Sequence, residues 1–337
     1  MTFNKFLKEA LLFKKTDKDL QCLTCNHKCK LKPGQTGYCE TRKNLDGTLY
    51  TLIYGNISSL SNNPIEKKPF YHFYPGSRAL TVGSYSCNFS CDWCQNFRIS
   101  KVKPINDPQN FISPQDLVQL AIKKSNGLSY SFNEPTLLLE HSLEAFKIAK
   151  KHHLYNTFVT NGYMTSEAIK LLIKAGLDAM NIDIKGNDSV VKKYCNANLE
   201  MIIENAKKAK ESGVHIEFTT LVIPQINDSE DIMNEIALII RENFGEDTPW
   251  HLSRYFPHYQ YSEPPTEIKK LKKSMTMGYE IGLNYIYIGN VPGHRAQNTY
   301  CPACGTLVIK RNIFDVVKNK LIQDKCPNCG KTIPIVL

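Results

Sequence analysis

No stretch of the 337-residue chain approaches the roughly 18 consecutive apolar residues of a membrane-spanning helix. The opening residues, MTFNKFLKEALLFKK, place apolar side chains at helical spacing. Lys5, Lys8 and Glu9 interrupt them, and no small-residue cleavage site follows. An N-terminal helix is therefore expected rather than a secretion signal, and with it a cytoplasmic location. No G-x-G-x-x-G opens the first helix of the strand–helix series, which argues against a dinucleotide-binding sheet. The formal net charge is +10, so an acidic or nucleic-acid partner is permitted. Long basic runs are scarce, however. The densest, Lys269 to Lys273 in KKLKK, falls in an amphipathic helical pattern with Ile268, Leu271 and Met275 inward, which reads as a solvated helix face. The interleaving of aromatic and basic residues used by single-strand binders is also missing. What remains is ordinary globular composition, 42% hydrophobic and 22% charged, in a length suited to one large domain with appendages or two domains.

Cysteine is what the chain has in quantity. Of twelve cysteines, eleven fall into three groups, and in a reducing compartment such clusters read as metal ligands rather than disulfides. The central group is CNFSCDWC, with Cys87, Cys91 and Cys94 at C-x3-C-x2-C spacing. Three thiolates on one loop can hold three irons of a four-iron cluster. With no fourth cysteine in the run, the last iron is left open to a small molecule, unlike the closed cluster of a ferredoxin. A zinc knuckle or buried free thiols are the bland alternatives.

The N-terminal group is Cys22, Cys25, Cys29 and Cys39, with turns at Pro33-Gly34 and Gly37 that bring Cys39 back toward the others. It reads as a closed site for zinc or a second iron–sulfur cluster, with His27 as a possible substitute ligand. The C-terminal group, Cys301, Cys304, Cys326 and Cys329 in CPACG and CPNCG, reads as a zinc ribbon, with rubredoxin-like iron as the alternative metal. Cys195 stands alone in KKYCNAN and reads as a small buried hydrophobe.

Between these groups the chain alternates strand and helix. Residues 45–78 are rich in turn formers and tyrosines and read as loops and short extended pieces without a catalytic signature. Strands are expected at 79–84, 128–132, 155–160, 179–184, 214–223 and 250–255, with a possible last one at 284–289. Helices are expected over 113–124, 135–151, 165–175, 199–212, 229–243 and 266–282. This predicts an α/β fold with a parallel sheet and helical crossovers, closed as a partial (β/α)6 barrel. The expected boundaries are 1–78 for a cysteine-rich metal-binding module, 79–290 for the barrel and 291–337 for the ribbon. Cys87, Asn133-Glu134, Asn161-Gly162 and Asp183-x-Lys185 lie at or just past the ends of successive strands, with His251 and Arg254 on the sixth. In a barrel those ends meet at one mouth. Each has a bland alternative. Glu134 can be a helix N-terminal charge, Asn161-Gly162 a turn, and Asp183 with Lys185 a surface ion pair.

These stretches resemble the radical S-adenosylmethionine (SAM) superfamily. The carriers are the SYSCNFSCDWCQN loop, YSFNEPT, VTNGYMT, MNIDIKG and PWHLSRYFP. With CLTCNHKC and VPGHRAQNTYCPACG, the resemblance covers nearly the whole chain and extends to the radical SAM component of the AmmeMemoRadiSam system, related to pyruvate formate-lyase activating enzyme. It implies a TIM-like partial barrel holding a [4Fe–4S] cluster on Cys87, Cys91 and Cys94, with SAM as cofactor. It further implies that Glu134, beside Asn133, accepts from the SAM amino group, although Ser131, Phe132 and Asn133 stand where such proteins usually carry glycines. By the same resemblance Asn161, Asp183 and Lys185 meet the ribose and carboxylate, and His251 lies near the adenosyl group. The implied partners are a flavodoxin or ferredoxin as electron donor and neighbours of the Memo and Amme types.

Three functional readings follow. The leading one is an oxidoreductase of activating-enzyme type, which cleaves SAM reductively and abstracts hydrogen from a bulky, protein substrate. The second keeps the radical chemistry and makes RNA the substrate. The third is a non-enzymatic iron–sulfur and zinc scaffold or electron carrier, which the open iron of the central loop disfavours.

Overall fold

The computed structural model describes residues 4–16 and 19–337. Its centre is an eight-stranded sheet: β1 (Ser59–Pro64), β2 (Arg78–Gly83), β3 (Gly127–Tyr130), β4 (Tyr155–Thr160), β5 (Ala179–Asp183), β6 (His215–Val222), β7 (Trp250–Arg254) and β8 (Ile286–Gly289). Neighbours in the sheet follow chain order. β1 pairs antiparallel with β2, and every later pair is parallel. Parallel strands need crossovers, supplied by α1 (Pro114–Lys124), α2 (Leu139–Lys151), α3 (Ser166–Ala175), α4 (Asp188–Cys195), α5 (Leu199–Glu211), α6 (Glu230–Phe244) and α7 (Ile268–Ile281). Both faces of the sheet are covered, so β3 is buried at every position.

Capping residues set the helix starts. The side chains of Ser113, Thr165 and Ser229 accept from the backbone N–H three residues on. Gly176 ends α3 at φ +100°, a left-handed conformation that glycine adopts without steric penalty. The sheet is a partial barrel, since β1 and β8 stay at its two edges while the strand ends between them surround a single cavity. Among the described residues no helix is long and apolar enough to cross a membrane.

Three segments differ from the sequence expectation. The N-terminal segment is extended where it is described, not helical; residues 1–3 lie outside the described residues. Lys8–Glu9 pairs with Thr48–Thr51, and Phe13–Lys15 pairs with Leu20–Cys22. Pairing with distant strands satisfies the same backbone groups, and Phe6 and Ala10 still bury their side chains. Residues 59–64, within a stretch read as loops and short extended pieces, form β1 and tie the N-terminal segment to the barrel sheet. α4, which the sequence reading passed over, is capped by Asn187 and ends at Asn196 with φ +52°.

The chain between β1 and β2 crosses the barrel interior. Pro69 accepts from Asn181 on β5, and the backbone N–H groups of Tyr71 and His72 donate to Glu217 on β6. The C-terminal unit docks on this crossing. Its sheet is β9 (Thr299–Tyr300), β10 (Leu307–Asn312) and β11 (Asp315–Asn319). Arg311 of β10 is buried, donates to the Tyr71 carbonyl at 2.8 Å, and lies 4.1 Å over the Tyr71 ring.

Candidate active site

A cavity of about 380 Å³ opens among the loops that follow the strands. Its wall takes Cys87, Cys91 and Cys94 from the loop after β2, and Ser131 to Glu134 from the loop after β3. Thr160 and Asn161 come from the end of β4, Asp183 from the end of β5 with Lys185 just past it, Thr219 and Leu221 from β6, and Ser253 from β7. A flat sheet would spread these residues along one edge. Curvature is what gathers them.

The loop after β2 is pinned from several sides. Asn133 accepts from the Ser84 N–H at 2.9 Å and donates to the Ser86 carbonyl at 2.9 Å, so it holds the approach to Cys87. Ser86 turns the chain at φ +68°. Lys101 donates to the Phe89 carbonyl at 2.8 Å, and Ser100 lies 3.0 Å from the Cys94 sulfur. Cys87 and Cys91 differ electrostatically. Burial pushes Cys87 well above the ordinary thiol value, with Glu134 adding to it. Cys91 is drawn down to about 7 by a hydrogen bond from Cys195, and the charges of Lys185 and Lys101 assist. Cys195 is buried as the sequence suggests, but its sulfur lies 3.6 Å from that of Cys91. The three thiols do not form the tight group that a single ion gathers. A four-iron cluster places each thiolate on a separate iron, so this looser arrangement around one cavity fits it, and two lysines offset the thiolate charge.

Glu134 is 2% exposed and sits at the N-terminus of the turn that leads into α2. Oε1 accepts from the Thr136 N–H and hydroxyl and from the Thr160 hydroxyl at 2.7 Å. Oε2 accepts only from the Asn161 N–H, at 2.9 Å. A carboxylate has about four acceptor positions, and the cavity-lining Glu134 keeps capacity on Oε2 for an ammonium. Burial raises its pKa, opposed by these donors. Phe132, where a glycine is usual, adopts φ +72°. A bulky residue in this left-handed region carries a strain of about 1–3 kcal/mol. Asn161 donates to the Asn88 side chain at 2.8 Å and so links Glu134 to the cysteine loop.

Asp183 and Lys185 pair at 2.8 Å. They are partly buried rather than on the surface. Burial opposes the charge of Lys185, but Asp183 and Cys91 hold its pKa above the ordinary lysine value. Lys68 is the cavity residue that the sequence reading missed. It is 3% exposed, sits 4.2 Å over the Phe132 ring, and meets no hydrogen-bond acceptor among the described residues. Burial, with Lys67 beside it, pushes its pKa down to about 7. Nothing local in KKPFYHFYP separates Lys68 from a surface lysine.

The unfolded chain therefore binds the Lys68 proton more tightly than the folded one, and stability rises between pH 7 and the ordinary lysine range near 10.4. Lys68→Met is expected to remove that slope and to be the more stable chain at pH 7, by on the order of a few kcal/mol. Urea melts of both chains at pH 7 and 10 check this. Equal pH slopes would mean that Lys68 is solvated in the folded chain.

His251 is not brought into the cavity. It shares register with Thr219, but its ring turns to Glu217, with Nε2 at 2.6 Å from Oε2. Tyr287 stacks on it at 5.2 Å, and Tyr71 packs edge-on at 4.8 Å. The ring is thus held in a buried network around Glu217, which also accepts from the Tyr71 and His72 N–H groups. Arg254 donates to the Thr266 carbonyl and stays outside the cavity wall.

The C-terminal sulfurs of Cys301, Cys304, Cys326 and Cys329 all lie within 4.8 Å of one another. Cys301 to Cys329 is 3.5 Å and Cys304 to Cys326 is 3.7 Å. Tetrahedral zinc with bonds of about 2.3 Å sets its thiolates about 3.8 Å apart, so a single ion fits. The N-terminal thiols Cys22, Cys25 and Cys29 are raised by burial, each with another thiol of the module contributing. His27 places Nε2 at 2.7 Å from the Asn88 carbonyl.

The model of a family described as the Radical SAM superfamily matches residues 81–236. An uncharacterized protein of Methanocaldococcus jannaschii is 40% identical across 98% of this chain and 100% of its own. A second protein of that organism, named as a candidate glycyl-radical enzyme activating enzyme, is 27% identical across 69% of this chain and 84% of its own. Among solved structures, Streptococcus suis SuiB bound to S-adenosylmethionine shares the fold with a TM-score of 0.51 at 13% identity. The match spans 71% of this chain and 56% of that one.

Proposed function

The chain belongs to the radical SAM superfamily, and on that premise we propose that it is an activating-enzyme-like oxidoreductase acting on a bulky, protein substrate. The observation that carries this reading is one cavity walled by three cysteines, a buried glutamate with a free acceptor, an Asp–Lys pair and an unpaired lysine. A [4Fe–4S] cluster bound there with SAM supplies one-electron cleavage of SAM and a hydrogen-abstracting radical. Cys87, Cys91 and Cys94 would hold it.

The other residues bind and orient. Glu134 Oε2 accepts from the SAM ammonium, and Asn161 fixes that carboxylate through its own N–H. Asp183 accepts from ribose hydroxyls while Lys185 neutralises it. Lys68, with no partner of its own, meets a carboxylate of the bound molecule. Asn133 keeps the cysteine loop in place rather than touching the cofactor. The name of the second relative supports the activase reading, and with it a substrate of protein size. A tetrahedral zinc on Cys301, Cys304, Cys326 and Cys329 would fasten the C-terminal unit, which is too small to build much core of its own. A flavodoxin or ferredoxin as electron donor, and neighbours of the Memo and Amme types, complete the proposal together with a cytoplasmic location.

The test is spectroscopic. The anaerobically reconstituted chain, reduced with dithionite, is expected to change its EPR spectrum when SAM is added, because SAM reaches the open iron. A fully loaded cluster whose spectrum ignores SAM would sink the proposal and favour an electron-carrying scaffold.

A further inference from the structure

Among the described residues Lys68 is the one buried lysine. Its backbone is fixed, because its N–H donates to the Ile65 carbonyl at 2.8 Å, at the end of a tight turn over Ile65–Lys67. The residues after it meet Asn181 and Glu217 inside the barrel. Lys68 therefore reaches the cavity wall from within the barrel, whereas the cysteines reach it on the loop after β2. Its ammonium stands 4.2 Å over the Phe132 ring, and Phe132 itself holds a left-handed backbone at φ +72°. A ring face offsets part of the lost hydration but does not replace a hydrogen-bond acceptor.

Four lysines line the cavity, and the other three are accounted for. Lys185 pairs with Asp183 at 2.8 Å. Lys101 donates to the Phe89 carbonyl and lies near the thiols of Cys87 and Cys91. Lys67 is exposed to water. The remaining carboxylate of the wall, Glu134, already accepts on both oxygens from Thr136, Thr160 and Asn161. SAM does not balance Lys68 either, since it brings an ammonium and a sulfonium against a single carboxylate. A cavity that holds SAM thus keeps a desolvated positive charge, which is costly unless paired. Ser131, next to Phe132, is buried in the same wall, and its hydroxyl makes no hydrogen bond among the described residues.

We propose that Lys68, with the Ser131 hydroxyl, binds a carboxylate of the substrate, so that the substrate presents an acidic side chain to the cavity. The carboxylate that Lys68 meets is then the substrate's and not that of SAM. One buried ammonium matches the single charge of a carboxylate better than the roughly two charges of a phosphate group. Pairing also restores the charged lysine that desolvation disfavours. The assignment to a substrate rests on the function proposed above, whereas the anion site at Lys68 does not.

The experiment is calorimetry on the anaerobically reconstituted full chain, saturated with SAM. The probes are N-acetylglutamic acid α-methylamide, whose one charge is its side chain, and the matching glutamine compound. The acid is expected to bind at least about tenfold more tightly than the amide, as befits a charge-assisted hydrogen bond. Lys68→Met, expected above to be the more stable chain at pH 7, should bind the two alike. Equal affinity of the native chain for both probes, binding of neither, or a native-like preference in Lys68→Met would overturn the inference. Inorganic phosphate binding more tightly than the acid would overturn the carboxylate assignment. Binding of the acid that SAM abolishes would give Lys68 to the SAM carboxylate and overturn the assignment to the substrate. A loaded cluster whose EPR spectrum ignores SAM sinks the function proposed above. A chain that responds to SAM and shows no preference for the acid sinks this inference alone.

Discussion

Cys91→Ala is expected to bring 5′-deoxyadenosine formation from SAM down to the level of a chain without iron. Cys91 lies between Cys87 and Cys94 in the cavity wall, and the hydrogen bond from Cys195 draws its thiol down to about 7. Removing it leaves two thiolates for three irons. The neighbouring sulfur complicates this variant: Cys195 is only 3.6 Å from Cys91 and stands near enough to replace it as a ligand. The experiment therefore includes Cys195→Ala alone and the double variant. Cys195→Ala should retain the cluster, since the thiol it removes is not one of the three in the loop. The double variant should form no product, even if Cys91→Ala alone keeps a trace through Cys195. Anaerobic reconstitution, dithionite reduction and chromatography of the nucleoside products read all four chains. Product from the double variant equal to that of the native chain would mean that the loop after β2 does not hold the reactive cluster.

The second large effect is on stability. Glu217→Leu is expected to destabilise the fold by about 3–5 kcal/mol, the usual consequence of removing one side of a buried charged network. Glu217 is fully buried and accepts from the Tyr71 and His72 N–H groups. It also pairs with His215 at 3.0 Å and His251 at 2.6 Å. Burial alone would raise its pKa, but the two imidazoles hold it well below the usual carboxylate range. A carboxylate depressed on folding contributes stability that is complete above its unfolded value near 4.3 and is lost as pH falls further. The native chain should therefore weaken below about pH 4, and Glu217→Leu should lack this component. Urea melts at pH 7 and pH 3 check both. His251→Phe should likewise lower stability while leaving the SAM-induced change in the cluster's EPR spectrum in place. Loss of that change in a folded His251→Phe chain would restore the adenosyl contact implied by sequence resemblance.

Much of the molecule is legible in local patterns. Strands β2 to β8 and the major helices follow from apolar periodicity and caps, with ends displaced by a residue or two, except that the helix expected from 135 begins at Leu139, after a tighter turn over Pro135–Leu138. The first residues mislead because Phe6, Ala10 and Phe13 have helical spacing, yet the backbone finds better partners in Thr48–Thr51 and Leu20–Cys22. β1 lies in SLSNNP, a polar sequence that reads as no more than a loop or a short extended piece until Arg78–Gly83 pairs with it. Glu134, Asn161, Asp183 and Lys185 were legible as candidates because each follows a strand of a barrel, whose geometry sends strand ends to one mouth.

By itself the sequence determined the three cysteine groups, the alternation of strand and helix, and the polar residues at the strand ends. These are properties of spacing, and spacing is local. Only the tertiary structure decided that Lys68 lies buried in the cavity wall without a hydrogen-bond partner among the described residues, that Cys195 touches Cys91, and that His251 meets Glu217 and does not line the cavity. It also decided that Asn88 stands between the N-terminal thiols and the central loop. Each of these rests on one side chain meeting another far away in sequence, as the Tyr71 N–H meets Glu217 across 146 residues. The energy of a buried lysine, thiol or carboxylate is set by which distant group the fold places beside it, and no window of neighbouring residues contains that information.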